Sequence, residues 1–143
     1  MINQYQRVVV LNLLAKHKRQ EQMLTDKMNQ LFNRFQNERV TKFHYDFHSE
    51  TKGDKFEHLD DLLHVLKDSL LNTFGYWIEN KIIDGFDLQK GVYRTNCLDC
   101  LDRTNVTQAK IAILILTDML RLIFDHIKQK GTPSNPYSVN NEI

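Results

Sequence analysis

The chain is organised around the stretch Arg94-Thr95-Asn96-Cys97-Leu98-Asp99-Cys100-Leu101-Asp102-Arg103-Thr104-Asn105. A short apolar segment, residues 91–93, precedes it, and a long helix-forming segment, Val106 to Phe124, follows it. This order predicts a strand, a loop and the N-terminus of a helix. Because the first N–H groups of a helix have no partner within it and carry the positive end of its dipole, the loop favours an anion.

Two side chains of this stretch suggest what the anion is. Cys97 and Arg103 have five residues between them, which lets a loop curl around one phosphate. The guanidinium of Arg103 suits the phosphate oxygens because its planar fork donates two hydrogen bonds. The helix N-terminus and the guanidinium favour the thiolate of Cys97, which we expect to attack phosphorus and form a cysteinyl phosphate. Asp99 and Asp102 are the nearest candidates for the proton donor to the leaving oxygen.

The whole stretch resembles the signature of the Sac-domain phosphoinositide phosphatases, Arg-x-Asn-Cys-x-Asp-Cys-Leu-Asp-Arg-Thr-Asn. It matches that signature at every fixed position. The resemblance extends over roughly residues 8–120. Its further matches are Asn12-Leu13, Lys18, Glu21, Leu24, Tyr45-Asp46-Phe47-His48, Lys52-Gly53, Phe56, Gln89, Gly91-Val92 and Gln108.

The resemblance implies metal-independent hydrolysis of phosphate monoesters on phosphoinositide head groups, without a cofactor. Phosphatidylinositol monophosphates are the expected substrates. By position, Cys97 is the nucleophile and Arg103 the phosphate clamp. Asp99 is the first choice for proton donor or loop organiser, and Asp102 is a second loop carboxylate. Substrate contacts are expected from Leu98, Cys100, Leu101, Thr104 and Asn105, together with Arg94.

The resemblance also implies a place and partners. We expect a cytoplasmic protein, peripheral to the cytosolic face of endomembranes. Residues 1–131 form a partial catalytic core in this reading, since family members have a further subdomain before it and continue after it. Those missing subdomains or a partner chain would then complete it. Residues 132–143 carry both prolines and are expected to be a disordered tail.

Length and composition limit the number of domains, the kinds of partner and the class of protein. The 143 residues favour one domain, and 41% hydrophobic with 26% charged residues is ordinary for a globular protein. The net charge of +1 gives no global basic field, so nucleic acid is not an expected partner. Two cysteines cannot build a disulfide framework, and no apolar run reaches the roughly 18 residues that span a bilayer.

The periodicity of the remaining chain predicts alternating strands and helices. These are a buried strand at 7–14, a helix at 16–36 with an apolar stripe at 24, 28, 31 and 35, a strand at 40–48, and a helix from 56 to about 78 capped at Asp54. The last helix, capped by Thr104 or Asn105, is apolar all round and is expected to be buried on several sides. The predicted fold is therefore α/β, a small mixed sheet flanked by helices, with the Cys97–Arg103 loop between a strand and a long buried helix.

The segment Val40–His48 alternates aromatic and polar residues, which predicts one strand with a polar face. We expect Asp46 and His48 of that face, with Asn96, to support the phosphate loop. A metal site made of His44, Asp46 and His48 is a weaker reading, because alternate residues of a flat strand lie roughly 6.5–7 Å apart.

Three questions stay open: the activity of the chain, the role of Cys100 and the role of Arg94. The chain could be a catalytically impaired phosphoinositide-binding module, or a fragment that does not fold alone. Cys97 and Cys100 could form a redox pair, or Cys100 could protect an oxidised Cys97 as a resolving thiol. Arg94 could contact the substrate or pair with Asp99 or Asp102.

Overall fold

A computed structural model of the chain describes residues 4–53, 55, 57–67 and 89–130. Strands and helices follow one another along this part of the chain. They are β1 (Arg7–Asn12), α1 (Arg19–Arg34), β2 (Val40–His44), α2 (Phe47–Glu50), α3 (His58–Leu66), β3 (Gly91–Asn96) and α4 (Asp102–Lys130).

The described strands form a parallel sheet in the order β2-β1-β3, so the mixed sheet expected from the sequence is wrong for this part of the chain. Val8 of β1 stands opposite Val40 on one side and Val92 on the other. Parallel neighbours need a long crossover connection, and α1 supplies one between β1 and β2. Residues 8–12 of the central strand are buried, which confirms the strand covered on both faces.

The carboxyl ends of the three strands lie side by side. Asn12 stands opposite His44 in β2 and Asn96 in β3. The loops that follow are bonded there as well, since Leu13 N–H donates to the Asn96 carbonyl (2.8 Å) and Tyr45 N–H to the Asn12 carbonyl (2.9 Å). In parallel sheets, ligands bind at this edge.

One hydrophobic cluster joins a face of the sheet to α3 and the start of α4. Full burial of each leucine contributes about 2 kcal/mol. The buried members of this cluster are Val9, Leu11, Leu13, Phe47, Leu59, Leu62, Leu63, Leu66 and Ile111.

Helix α1 does not use the face that the sequence suggested. Its apolar stripe is largely open, with Leu31 53% and Phe35 73% exposed, whereas Glu21 and Thr25 are buried. Both polar side chains have hydrogen-bond partners, which offsets the cost of burying them. The stripe instead lines an open apolar groove of about 600 Å³ against β1.

Strand β2 ends at His44, so the strand predicted over Val40–His48 is wrong beyond that residue. Asp46 stops it by acting as the N-cap of α2, where its side chain accepts a hydrogen bond from Ser49 N–H. His48 therefore lies on a short helix and not on a strand face.

Helix α4 begins at Asp102, four residues earlier than predicted, and includes Thr104 and Asn105 that were expected to cap it. The expectation of burial on several sides is also wrong, because the buried side chains of this helix, Thr104, Thr107 and Ile111, all lie in its first three turns. The later apolar side chains at 113, 116, 120, 124 and 127 are at least half exposed. Neither α4 nor any other helix of the described residues has an apolar stretch that could cross a bilayer.

Several sequence predictions lie outside the described residues. They are the cap at Asp54, the part of the second long helix beyond residue 67, most of the loop before β3, and the tail at 132–143.

Candidate functional site

The loop 97–101 connects β3 to α4 at the carboxyl edge of the sheet. Cys97 follows β3 directly and is half-buried, while Leu98 and Leu101 are exposed. Cys100 turns the loop with a φ of 57°, in the left-handed region that L-residues seldom occupy. The backbone thus reverses over a few residues before the helix begins.

Asp99 binds both sides of this turn. Its Oδ1 accepts a hydrogen bond from Cys97 Sγ at 3.3 Å and another from Leu101 N–H at 3.3 Å. The Cys100 thiol donates to the Cys97 carbonyl at 3.7 Å. The Leu101 N–H and the Cys97 thiol hold the pKa of Asp99 below its usual range, so this side chain is a carboxylate at neutral pH.

Arg103 lies in the first turn of α4 and points back toward β1. Its Nη1 donates to Glu21 Oε2 at 2.7 Å and to the Leu13 carbonyl at 3.5 Å. Burial opposes its charge, but the hydrogen bond to Glu21 and the attraction of Cys97 and Asp99 raise the pKa of Arg103 above its ordinary value. The guanidinium is therefore held in its charged form beside the loop 97–101, with Glu21 as its ion-pair partner.

Glu21 is the site residue that the sequence reasoning did not select. It is 2% exposed and accepts hydrogen bonds from Ala15 N–H (2.8 Å) and from Arg103. Burial disfavours its charge, yet these bonds and the nearby Lys18 hold the pKa of Glu21 below its usual value. The signal was present in the resemblance of Lys18 and Glu21 to the family, but nothing in the sequence aimed this carboxylate at Arg103.

Asp46 acts on the neighbouring loop 13–18. It is almost fully buried and accepts hydrogen bonds from Lys16 N–H (2.8 Å) and Ser49 N–H (3.1 Å). Burial opposes its charge, but these two bonds hold the pKa of Asp46 below its usual range. Since loop 13–18 carries Ala15, whose N–H binds Glu21, Asp46 supports Arg103 through that loop.

His44 and His48 have separate environments. His44 Nε2 donates to the Leu14 carbonyl at 2.8 Å, and His48 is exposed beside a cavity that Arg103 also lines. Within the described residues, no three His, Cys, Asp or Glu side chains are grouped as metal ligands would be.

Arg94 and Asn96 lie near the site but turn toward α1. Arg94 donates to the Asn96 side-chain oxygen and lines the apolar groove beside Met28. Asn96 Nδ2 lies 3.3 Å from Met28 Sδ. The two roles considered for Arg94, a substrate contact and an ion pair with Asp99 or Asp102, stay predictions.

The other predicted site residues occupy the start of α4. Asp102 is exposed at its first position, and Asn105 is exposed and donates its N–H to the Leu101 carbonyl (3.0 Å). Thr104 is buried, so its side chain faces away from solvent. The structure therefore brings together Cys97, Asp99 and Arg103, with Glu21 behind them.

This arrangement has the parts that phosphate recognition requires. A half-buried thiol, a guanidinium and a helix N-terminus meet at one edge of the sheet, and the last two favour a dianion. Both contacts of Arg103 to the protein use Nη1, whereas a guanidinium carries five N–H donors in all. The geometry is thus compatible with a second, substrate-directed set of bonds.

Several known proteins have sequences related to that of this chain. A scan against protein-family models gave no match. The chain is 33% identical over 120 residues to human phosphatidylinositide phosphatase SAC2, covering 84% of this chain and 10% of that protein. It is 34% identical over 119 residues to polyphosphatidylinositol phosphatase INP53 of Saccharomyces cerevisiae, covering 78% and 10%. It is 34% identical over 132 residues to phosphatidylinositol-3-phosphatase SAC1 of Drosophila melanogaster, covering 90% and 22%.

These relatives are much longer than the sequence in hand, which spans between 10% and 22% of their length. Most of this chain is matched in each case, and the matched part includes the loop and the elements around it. The chain therefore belongs to the Sac-domain phosphoinositide phosphatase family, of whose members it matches one segment.

Proposed function

We propose that this chain carries the phosphate-hydrolysing site of a phosphoinositide phosphatase that uses a cysteine nucleophile and no metal. The observation that carries the proposal is the placement of Cys97 directly after β3 and of Arg103 in the first turn of α4, at the two ends of the loop 97–101. The names of the relatives support the substrate class, phosphorylated phosphatidylinositol.

The reaction has two steps. The Cys97 thiolate attacks phosphorus, the bond from phosphorus to the inositol oxygen breaks, and that oxygen takes a proton. Water then attacks the cysteinyl phosphate, releasing inorganic phosphate and restoring the thiolate. Arg103 and the helix N-terminus stabilise the charge on the phosphoryl oxygens in both steps.

Two roles remain for the loop carboxylates Asp99 and Asp102, which are organising the loop and donating a proton to the leaving oxygen. Asp99 is ionised at neutral pH because its pKa is lowered, and its two hydrogen bonds support the role of loop organiser. A proton donor must carry a proton, so this lowered pKa fits Asp99 as loop organiser better than as donor. Asp102, the other loop carboxylate, stays the alternative candidate for the donor.

The exposed leucines of the loop suggest how the site meets its substrate. Leu98 and Leu101 are 51% and 60% exposed at the edge where Cys97 lies. Apolar side chains beside a head-group site suit shallow contact with a lipid surface. We propose peripheral action at a cytosolic membrane face.

The experiment is phosphate release from a short-chain phosphatidylinositol monophosphate, measured without added metal. Cys97→Ser should lower the rate by about a thousandfold, because a serine hydroxyl is far less acidic than a thiol. Cys100→Ser, the matched change at the other cysteine, should keep at least about a tenth of the rate, since the thiol there is not the nucleophile. Equal release by the original chain and Cys97→Ser would refute the enzyme. Lipid binding by both without release would identify a binding module.

A further inference from the structure

A cavity of about 380 Å³ lies beside Arg103, between loop 13–18, α2 and the turn that follows α2. It opens at the same carboxyl edge of the sheet as the loop 97–101. Its size falls within the range of small-ligand sites. The lining residues are Lys18, Phe47, His48, Thr51, Lys52, Gly53 and Arg103.

The charge around this cavity has one sign. All four titratable side chains that line it are basic: Lys18, His48, Lys52 and Arg103. Two described carboxylates that contact the residues around the cavity, Glu21 and Asp46, are buried and already bonded. Glu21 accepts from Ala15 N–H and Arg103, and Asp46 accepts from Lys16 N–H and Ser49 N–H. An anionic group therefore meets attraction on several sides here.

The turn after α2 brings one of these cations to the cavity. Gly53 has a φ of 73°, a conformation that glycine adopts at no steric cost. No atom lies within 4 Å of where a Cβ would stand on Gly53, so the space beside the turn is open. The chain reverses next to Lys52, whose side chain lines the cavity.

Arg103 connects the cavity to the candidate nucleophile, because it lines the cavity and lies in the first turn of α4, directly after the loop that carries Cys97. We propose that the cavity is a subsite for a second phosphate group of the same substrate molecule, bound by Lys52 with Lys18 and His48. The inference rests on the proposed function, since it takes the first phosphate to lie between Cys97 and Arg103. The second phosphate is either another phosphate on the inositol ring or the phosphodiester that joins the ring to glycerol.

Calorimetric binding in the Cys97→Ser background tests this without turnover. The variant is Lys52→Ala, and the matched control is Lys55→Ala, an exposed lysine three residues along that does not line the cavity. The three probes are a short-chain phosphatidylinositol monophosphate, a short-chain phosphatidylinositol bisphosphate and a soluble inositol bisphosphate that lacks the diester. Removing a charge-assisted contact to phosphate should weaken binding about tenfold, against less than about twofold for the control.

The probes separate the two sources. A ring phosphate in the subsite predicts that Lys52→Ala weakens both bisphosphates and spares the monophosphate. A diester predicts that it weakens both lipids and spares the soluble compound. Equal affinities of Lys52→Ala and Lys55→Ala for all three probes, or no binding of any probe, would overturn the subsite. Lys52-dependent binding without hydrolysis by the unsubstituted chain would keep the subsite and reject the enzyme.

Discussion

Glu21 and Arg103 lie 82 residues apart in the chain and are joined by a 2.7 Å hydrogen bond between carboxylate and guanidinium. Glu21 is itself held by Ala15 N–H, in the loop that leaves the central strand. The pair therefore ties Arg103, the proposed phosphate clamp, to the loop that leaves the most buried strand of the sheet. Arg103 is aimed by the protein before any phosphate binds, which reduces the ordering that substrate must impose.

We expect Glu21→Gln to loosen this clamp. Glutamine keeps the size and an acceptor oxygen but removes the negative charge that balances a half-buried guanidinium. The free energy of unfolding should fall by about 1–3 kcal/mol, and kcat/KM about tenfold. Asp26→Asn, an exposed change on the same helix, should alter neither quantity. Urea denaturation and phosphate release measure the two effects, and equal behaviour of both variants would contradict the role given to Glu21.

Two buried carboxylates predict how stability depends on pH. Glu21 and Asp46 have pKa values below their ordinary ones in the folded chain. In the unfolded chain they bind protons at higher pH, near the ordinary carboxyl value of about 4. Their contribution is complete above about pH 5 and is lost as pH falls through that value toward the lowered folded values.

Urea midpoints measured from pH 7 to pH 3 check this expectation. Asp46→Asn should flatten the acid side of the profile, because asparagine has no proton to gain. Asp26→Asn should leave the profile as it was, since that carboxylate is exposed. A stability that is constant or rises from pH 5 to pH 3 would show that the hydrogen bonds to Glu21 and Asp46 do not favour their charged forms.

The role of Asp99 can be separated from that of a proton donor. Asp99→Asn keeps an oxygen that accepts from Cys97 and Leu101, whereas Asp99→Ala removes both bonds. If Asp99 organises the loop, kcat/KM should fall about tenfold in Asp99→Ala and by less than about threefold in Asp99→Asn. A proton donor would lose its function equally in both variants. Phosphate release compares them directly, and equal large losses would return the donor role to Asp99.

The left-handed turn at Cys100 makes a prediction about stability. A non-glycine residue in this region costs about 1–2 kcal/mol, and more when it is β-branched. Cys100→Gly should therefore leave the thermal midpoint unchanged or raise it slightly, despite the greater freedom of the unfolded chain. Cys100→Val should lower it. Calorimetry of both variants gives the comparison, and a valine variant as stable as the glycine variant would mean that the turn does not persist in solution.

The sequence predicted the parts of this molecule that depend on local pattern. The continuous apolar run at β1 predicted a strand buried on both faces. The sequence from Arg94 to Asn105 predicted a loop between a strand and a helix. Local pattern failed where side chains bind distant backbone. In the sequence, Asp46 fits the alternation of a strand. In the structure, its carboxylate accepts hydrogen bonds from Lys16 N–H and Ser49 N–H, and the strand ends before it.

Helix α1 shows the same limit at the level of packing. Its hydrophobic periodicity is real, yet the side chains that it buries are Glu21 and Thr25. Thr25 Oγ1 accepts from Asn12 Nδ2 at 3.0 Å, a contact across 13 residues that no helical pattern reveals. Periodicity identifies the apolar face of a helix, but specific polar partners decided which face turned inward.

The strand order β2-β1-β3 has a kinetic consequence. The central strand is the first in the chain, and its partner β3 begins at residue 91, so the chain must close a long loop before that pairing forms. Such non-local pairing is slow compared with the formation of α1 or α4. Cys97 and Arg103 follow β3 in the chain, so their placement depends on this late step. Refolding from urea should therefore restore helical circular dichroism well before it restores phosphate release.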